Sequence, residues 1–127
     1  MNNRKHSKSQ EKQVAKLLGG KVSPNSGATL FGGSGDVHTG AWNIECKTVT
    51  TPKQSISIKH DWIKQSERDA FAMGKPYSAV AVNFGPDEEN YFVISEKLFK
   101  KFLKTLEESE DIKDASITAS KIPPPRF

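Results

Sequence analysis

The stretch Asp36-Val37-His38-Thr39-Gly40-Ala41-Trp42-Asn43-Ile44-Glu45-Cys46-Lys47 decides how this chain folds. Thr39-Gly40 separates two short segments of alternating polarity, and a two-residue turn there makes a hairpin pairing Val37 with Trp42 and Asp36 with Asn43. Side chains alternate between the faces of a strand, so Val37, Trp42, Ile44 and Cys46 share one face. Asp36, Asn43, Glu45 and Lys47 share the other, and by the same parity His38 joins them. The first set is a core face. The second gathers two carboxylates and an amine that no core requires.

Upstream, Pro24 to Asp36 holds Gly27, Gly32, Gly33 and Gly35, a loop able to approach a ligand closely. It lacks the Gly-x-x-x-x-Gly-Lys-Ser/Thr pattern of a phosphate loop, and a hairpin rather than a helix follows it, so it is no dinucleotide fingerprint either. A short strand at Lys21 to Ser23 precedes it. Ser7, with Gln10 three residues on, forms a capping box for a helix that runs to about Leu18 and stops at Gly19-Gly20. Residues 1–8, with Arg4, Lys5, His6 and Lys8, read as a flexible basic arm. Glu11 lies four residues before Ala15 and seven before Leu18, on their side of the helix. The helix dipole gives a carboxylate near the N-terminus an ordinary structural reason.

Downstream, Thr48 to Ile58 is a polar connection in which Pro52 argues against a long central strand. A helix over about Lys59 to Met73 contains Trp62 and ends at Gly74-Lys75-Pro76. Tyr77 to Phe84 and Tyr91 to Ile94 are strands. Ser95 caps a last helix from Glu96 to about Glu108, with Leu98, Phe99, Phe102, Leu103 and Leu106 as its apolar stripe. Ser109 to Phe127, with Pro123-Pro124-Pro125, reads as an irregular tail. The order predicts an α/β fold: a small central mixed β-sheet flanked by helices, with one core domain over residues 9–108.

A chain of 127 residues supports one modest core. It has no apolar run of the roughly 18 residues a membrane span needs, and no apolar run behind the basic N-terminus, which excludes a signal peptide. The single cysteine, Cys46, excludes an intrachain disulfide and a multi-cysteine zinc site, and favours a reducing, cytoplasmic compartment. A net charge of +4 permits a polyanionic partner without requiring one.

Two carboxylates converging from adjacent strands repel unless a cation lies between them. Oxygen ligands of this kind suit Mg²⁺ or Mn²⁺ rather than zinc, and the Cys46 carbonyl offers one more. Such an ion polarises a phosphate and activates water, which Lys47 orients or deprotonates. A Glu-x-Lys pair alone is weak, because exposed strand faces often alternate charge. Asp36 at hairpin distance, the glycine-rich loop and Glu11 together outweigh that reading. His6, His38 and His60 show no metal-ligand spacing; His38 fits an ordinary turn histidine and Cys46 an inert core residue. Trp42 and Trp62 fit core anchors better than base-stacking platforms, each lying in an apolar pattern.

Glu11 in the first helix, Ser26-Gly27 in the loop, Gly35-Asp36-Val37 and Ile44-Glu45-Cys46-Lys47 carry a resemblance. Together with the helix containing Gln65 and the strand Ala79 to Phe84, this sequence resembles the PD-(D/E)xK nuclease superfamily, specifically its archaeal and phage Holliday-junction resolvase branch. The likeness spans roughly Ser9 to Phe84. Gly35 departs from it, since many members have proline there, which alters loop stiffness more than chemistry. The resemblance implies a restriction-endonuclease-like core in which Asp36 and Glu45 ligate Mg²⁺, with Mn²⁺ able to substitute. It makes Lys47 the catalytic lysine, adds Glu11 to the acidic cluster directly or through water, and sets Ser26 near the scissile phosphate. It further implies a homodimer, phage-encoded or archaeal in type, that places paired nicks across a four-way DNA junction.

DNA contact falls to Arg4, Lys5, Lys8, Lys12 and Lys16 around the first helix, with Lys53 and Lys59 beside the polar connection, all phosphate-directed and salt-sensitive. Gln65 joins them if it faces the site as a helix glutamine does in some relatives. No helix-turn-helix, zinc-finger or RNA-binding signature is present, so selectivity would come from nucleic-acid shape. The alternatives are a restriction, repair or nicking nuclease on the same scaffold, a nucleic-acid-binding protein without catalysis, or a structural subunit with a decorative Glu-x-Lys.

Overall fold

Nothing between Asn3 and Leu18 breaks a helix: the stretch has no glycine or proline, and Val14 is its one β-branched residue. In the computed structural model, which describes residues 3–23 and 36–121, α1 accordingly spans Asn3–Leu18. The helix therefore starts within the stretch read as a basic arm, and Ser7 lies inside it rather than capping it. Gly19 ends α1 with φ of 70°, and the Gly20 N–H donates to the Ala15 carbonyl at 2.8 Å. Gly20 has a second reason to be glycine, since a Cβ there would lie 2.6 Å from the His38 carbonyl oxygen.

The chain then forms β1 (Lys21–Val22), β2 (Asp36–His38), β3 (Trp42–Lys47), α2 (His60–Ala72), β4 (Tyr77–Val82) and β5 (Tyr91–Val93). The strands make one sheet in the order β1-β2-β3-β4-β5. Only β3 and β4 are parallel, and α2 is the crossover that joins them. The other neighbours are antiparallel. This bears out a small mixed sheet with flanking helices.

The hairpin register differs from the two-residue turn. Asp36 pairs with Glu45, Val37 with Ile44 and His38 with Asn43. Thr39 explains the longer loop: its side-chain oxygen accepts from the Ala41 and Trp42 N–H groups, and its own N–H donates to the Trp42 carbonyl. A slip of two residues preserves parity, so every side chain keeps its assigned face.

On one face Val37, Ile44, Cys46, Ala79 and Ala81 bury against Val14 of α1, with Ala15, Trp42 and Ile94 at the margin. Gln10 is 1% exposed, and its side-chain amide donates to the Lys47 and Ala81 carbonyls and the Asn90 side-chain oxygen. It thereby ties α1 to the ends of β3 and β4. Gln10→Leu should cost about 2 kcal/mol, since it strips buried acceptors of their donor. Urea unfolding measures this, and a loss below about 0.5 kcal/mol would show the amide to be dispensable.

On the other face Ser66 of α2 donates to the Ala79 carbonyl and exchanges hydrogen bonds with Asn43, which is fully buried. Lys75 Nζ donates to the Thr39 carbonyl at 2.6 Å and fastens the hairpin loop to the end of the crossover.

Residues 1–94 form one compact unit and residues 95–127 a second. Within the second, the Leu98 N–H donates to Ser95 Oγ at 3.1 Å, the expected cap. The helix it opens, α3, spans Glu96–Lys121. It therefore runs well into the stretch read as an irregular tail. Between Glu96 and Ile122 there is no glycine or proline to stop it, and Pro123 is the first breaker. The glycine-rich loop and Pro123 to Pro125 lie outside the described residues.

Candidate metal centre

The pairing of Asp36 with Glu45 places both carboxylates on the sheet face that α2 covers. That face of α2 carries Trp62, Ser66, Asp69 and Ala70, at the three- and four-residue spacings of one helical stripe. Ser66 docks on Asn43, and Asp69, one turn on, comes down beside the hairpin. Asp36, Glu45 and Asp69 each offer an oxygen within 4.8 Å of the others. Glu45 is 5% exposed, while Asp36 and Asp69 are half-buried. Such a cluster can hold a divalent cation.

Three acids this close do not all ionise without a counter-charge. Burial, then the hydrogen bond and repulsion from Glu45 and repulsion from Asp69, push the Asp36 carboxyl up to about 9, against a hydrogen bond from Asn43. At neutral pH the metal-free cluster therefore retains a proton. Lys47 supplies one cation: its Nζ lies 3.4 Å from Glu45 and 5.0 Å from the centre of the Trp62 ring. Gln65 donates to Asp69 at 2.9 Å and accepts from Arg68, so its amide positions Asp69. His38 lies half-buried at the edge, where burial and then Lys75 lower its pKa against a hydrogen bond from Asn43 and the charge of Asp69.

Of the residues expected here, the structure brings together Asp36, Glu45 and Lys47. Among the described residues Glu11 is not in the group of three carboxylates; it is buried on α1, the helix whose Val14 packs against the other face of the sheet. There it acts on Cys46, whose thiol is pushed up by burial first and then by Glu11, Asp36 and Glu45. Cys46 turns its side chain into the core, so it offers the cluster only its backbone. Ser26 lies outside the described residues. Lys5, Lys8, Lys12 and Lys16 are exposed along one stripe of α1, roughly opposite Val14; the side chain of Arg4 is outside the described residues.

Asp69 is the member that sequence reasoning missed. The available signal was its position seven residues after Trp62, three after Ser66 and four after Gln65, on the buried side of an amphipathic helix. Beside the cluster, Lys47, Lys53, Ser57, Trp62, Val82 and Asn83 line part of a pocket of about 280 Å³. Among the described residues no helix is long and apolar enough to cross a membrane. Comparison with protein-family models, with curated proteins and with solved structures finds no match to this chain.

Proposed function

We propose that this chain is a divalent-metal-dependent DNA endonuclease of the PD-(D/E)xK type, acting as a homodimer on branched DNA and resolving four-way junctions by paired nicks. The observation that carries the reading is the meeting of Asp36, Glu45 and Asp69 within 4.8 Å, with Lys47 on Glu45. A restriction-endonuclease-like core is supported by the order helix, three antiparallel strands, crossover helix and parallel strand, with the motif residues on the paired second and third strands. An intracellular setting is supported by the lone buried thiol of Cys46.

The donor set fits a hard cation: the three side chains present carboxylate oxygens, with no thiolate or imidazole among them. Mg²⁺ is the favoured ion and Mn²⁺ its substitute; when bound it polarises the scissile phosphate and lowers the pKa of water. Asp36, Glu45 and Asp69 would hold it, with Asp36 giving up its proton, so that uptake releases acid. Gln65 keeps Asp69 turned inward. Lys47, drawn from Glu45 toward the phosphate, would orient the attacking water and offset the charge that builds on the phosphoryl oxygens. The α1 lysines would contact the phosphate backbone.

The test is cleavage of an end-labelled synthetic four-way junction in Mg²⁺. Paired symmetric nicks are expected, with loss of at least about 10³-fold in Glu45→Ala, on the scale of about 4 kcal/mol of transition-state stabilisation. Asp69→Asn should lose about 10- to 100-fold and need more Mg²⁺ for half-maximal rate. Equal cleavage of linear duplex would redirect the assignment to another nuclease of the same type. Tight junction binding without cleavage in either metal would leave a binding protein.

A further inference from the structure

The pocket beside the cluster has a composition the metal centre does not explain. One wall is apolar, made by Val49 and Val82 with the half-buried indole of Trp62. Lys53 and Lys47 bring two positive charges to it, and Ser57 a hydroxyl. Asn83, 1% exposed, accepts a 2.7 Å hydrogen bond from Thr48 Oγ1, while its amide nitrogen has no partner among the described residues. A buried donor left without an acceptor is rare and costly unless a ligand or water completes it.

These groups match one molecule class by parts. The indole and valines suit a planar heterocycle, the lysines suit a phosphate, and the amide suits an acceptor on a base edge. At about 280 Å³ the pocket lies at the lower end of small-molecule sites, roomy enough for one nucleotide and too small for a base pair. It is contiguous with the acidic cluster, because Lys47 touches Glu45 and lines the pocket as well. We infer that the pocket seats a single unpaired nucleotide of the substrate strand, next to the phosphate to be cut. A base held in a continuous duplex cannot enter without leaving its stack, so the seat favours DNA that already offers an unpaired or easily unstacked nucleotide, as at a branch point. This rests on the nuclease reading and specifies its substrate.

Nucleotide binding is separable from hydrolysis and is tested without metal. The full-length ¹⁵N-labelled protein in EDTA is titrated with deoxyadenosine 5′-monophosphate and followed by heteronuclear NMR. Saturable shifts are expected at the Trp62 indole N–H, the Asn83 side-chain amide and the backbone of residues 53–57. Lys53→Ala, on an exposed connection, should weaken the titration at least about fivefold without altering the rest of the spectrum. Deoxyadenosine and inorganic phosphate should each bind at least about tenfold more weakly than the nucleotide, since each lacks half of the match. Absence of saturable shifts at these residues up to about 10 mM overturns the inference. Inorganic phosphate binding as tightly as the nucleotide overturns it too, and leaves an anion site. Binding in EDTA by a protein that cuts no DNA would keep the nucleotide seat and remove the nuclease.

Discussion

Asp36→Asn is expected to make the metal-free protein more heat-resistant while abolishing metal-dependent cleavage. Asp36 is held between Glu45 and Asp69, and burial with those neighbours pushes its carboxyl up to about 9, from 3.8 as the unperturbed value. Between those limits the folded chain retains a proton that the unfolded chain has released. Linkage then makes stability fall as pH rises through the window, and leaves no contribution from this group below about 3.8. Asparagine is isosteric, cannot ionise and still donates a hydrogen bond to Glu45, so it removes the loss. At pH 8 a gain of about 1–3 kcal/mol is expected, the scale of relieving one like-charge contact in a half-buried site. In a domain of this size that raises Tm by roughly 4–8 °C per kcal/mol. The gain should shrink toward zero as the pH is lowered to about 4. Saturating Mg²⁺ should stabilise the parent protein and leave Asp36→Asn almost unmoved, because a cation neutralises the repulsion that the substitution has already removed. Cleavage should drop by at least about 10³-fold. Thermal melts from pH 4 to 9, with and without Mg²⁺, decide the matter. A variant less stable than its parent at pH 8 would mean that Asp36 is ionised and satisfied by the protein itself, with no place for a cation.

How far the sequence carries this centre follows from its physics. Strand parity alone assigns Asp36, Glu45 and Lys47 to one face, since a period of two survives a register error of two residues. The register is not legible in this way: Thr39-Gly40 looks like a tight turn, while the Thr39 hydroxyl gathers the N–H groups of Ala41 and Trp42 into a longer loop. That correction matters chemically: Asp36 faces Glu45 directly rather than sitting beyond it. The burial of Glu11 does not say which side of the sheet its helix covers; the packing of Val14 against Cys46, whose side chain points away from Glu45, places α1. Asp69 is hidden from the sequence for a different reason. It reaches the site through a crossover helix, and its partners Asp36 and Glu45 lie 33 and 24 residues earlier in the chain. The two helix ends share one cause: a basic face at Arg4 to Lys8 and a polar run at Ser109 to Lys121 look unstructured by burial, yet neither contains a residue that breaks a helix.

Lys47→Met should separate what the lysine does for the fold from what it does for the reaction. Its Nζ lies 3.4 Å from a Glu45 carboxylate whose side chain is only 7% exposed, and the lysine side chain is itself 21% exposed. Removing the amine leaves a buried carboxylate facing two other acids with its nearest cation gone. Breaking a buried pair from one side costs about 3–5 kcal/mol, and partial exposure of the lysine brings the expectation to about 2 kcal/mol in the metal-free protein. Methionine keeps the length of the aliphatic stem and removes only the amine that lies over Trp62, so the loss reports charge rather than volume. A bound divalent cation supplies the missing positive charge, and so Mg²⁺ should recover most of that stability, raising Tm more in Lys47→Met than in the parent. Turnover follows the opposite course. On the proposed nuclease reading, refilling the metal site does not replace an amine that would orient water and offset phosphoryl charge, and cleavage of the four-way junction should remain at least about 10³-fold below the parent. Junction affinity, measured in Ca²⁺ to prevent cutting, should stay within about threefold, because one phosphate contact among many is lost. If Mg²⁺ restores both stability and turnover, Lys47 is only the counter-ion of Glu45, and the chemistry belongs to the metal and its three carboxylates. If it restores stability alone, the lysine acts on the scissile phosphate, and the Glu45-x-Lys47 spacing sets carboxylate and amine side by side on one strand face to divide those two tasks.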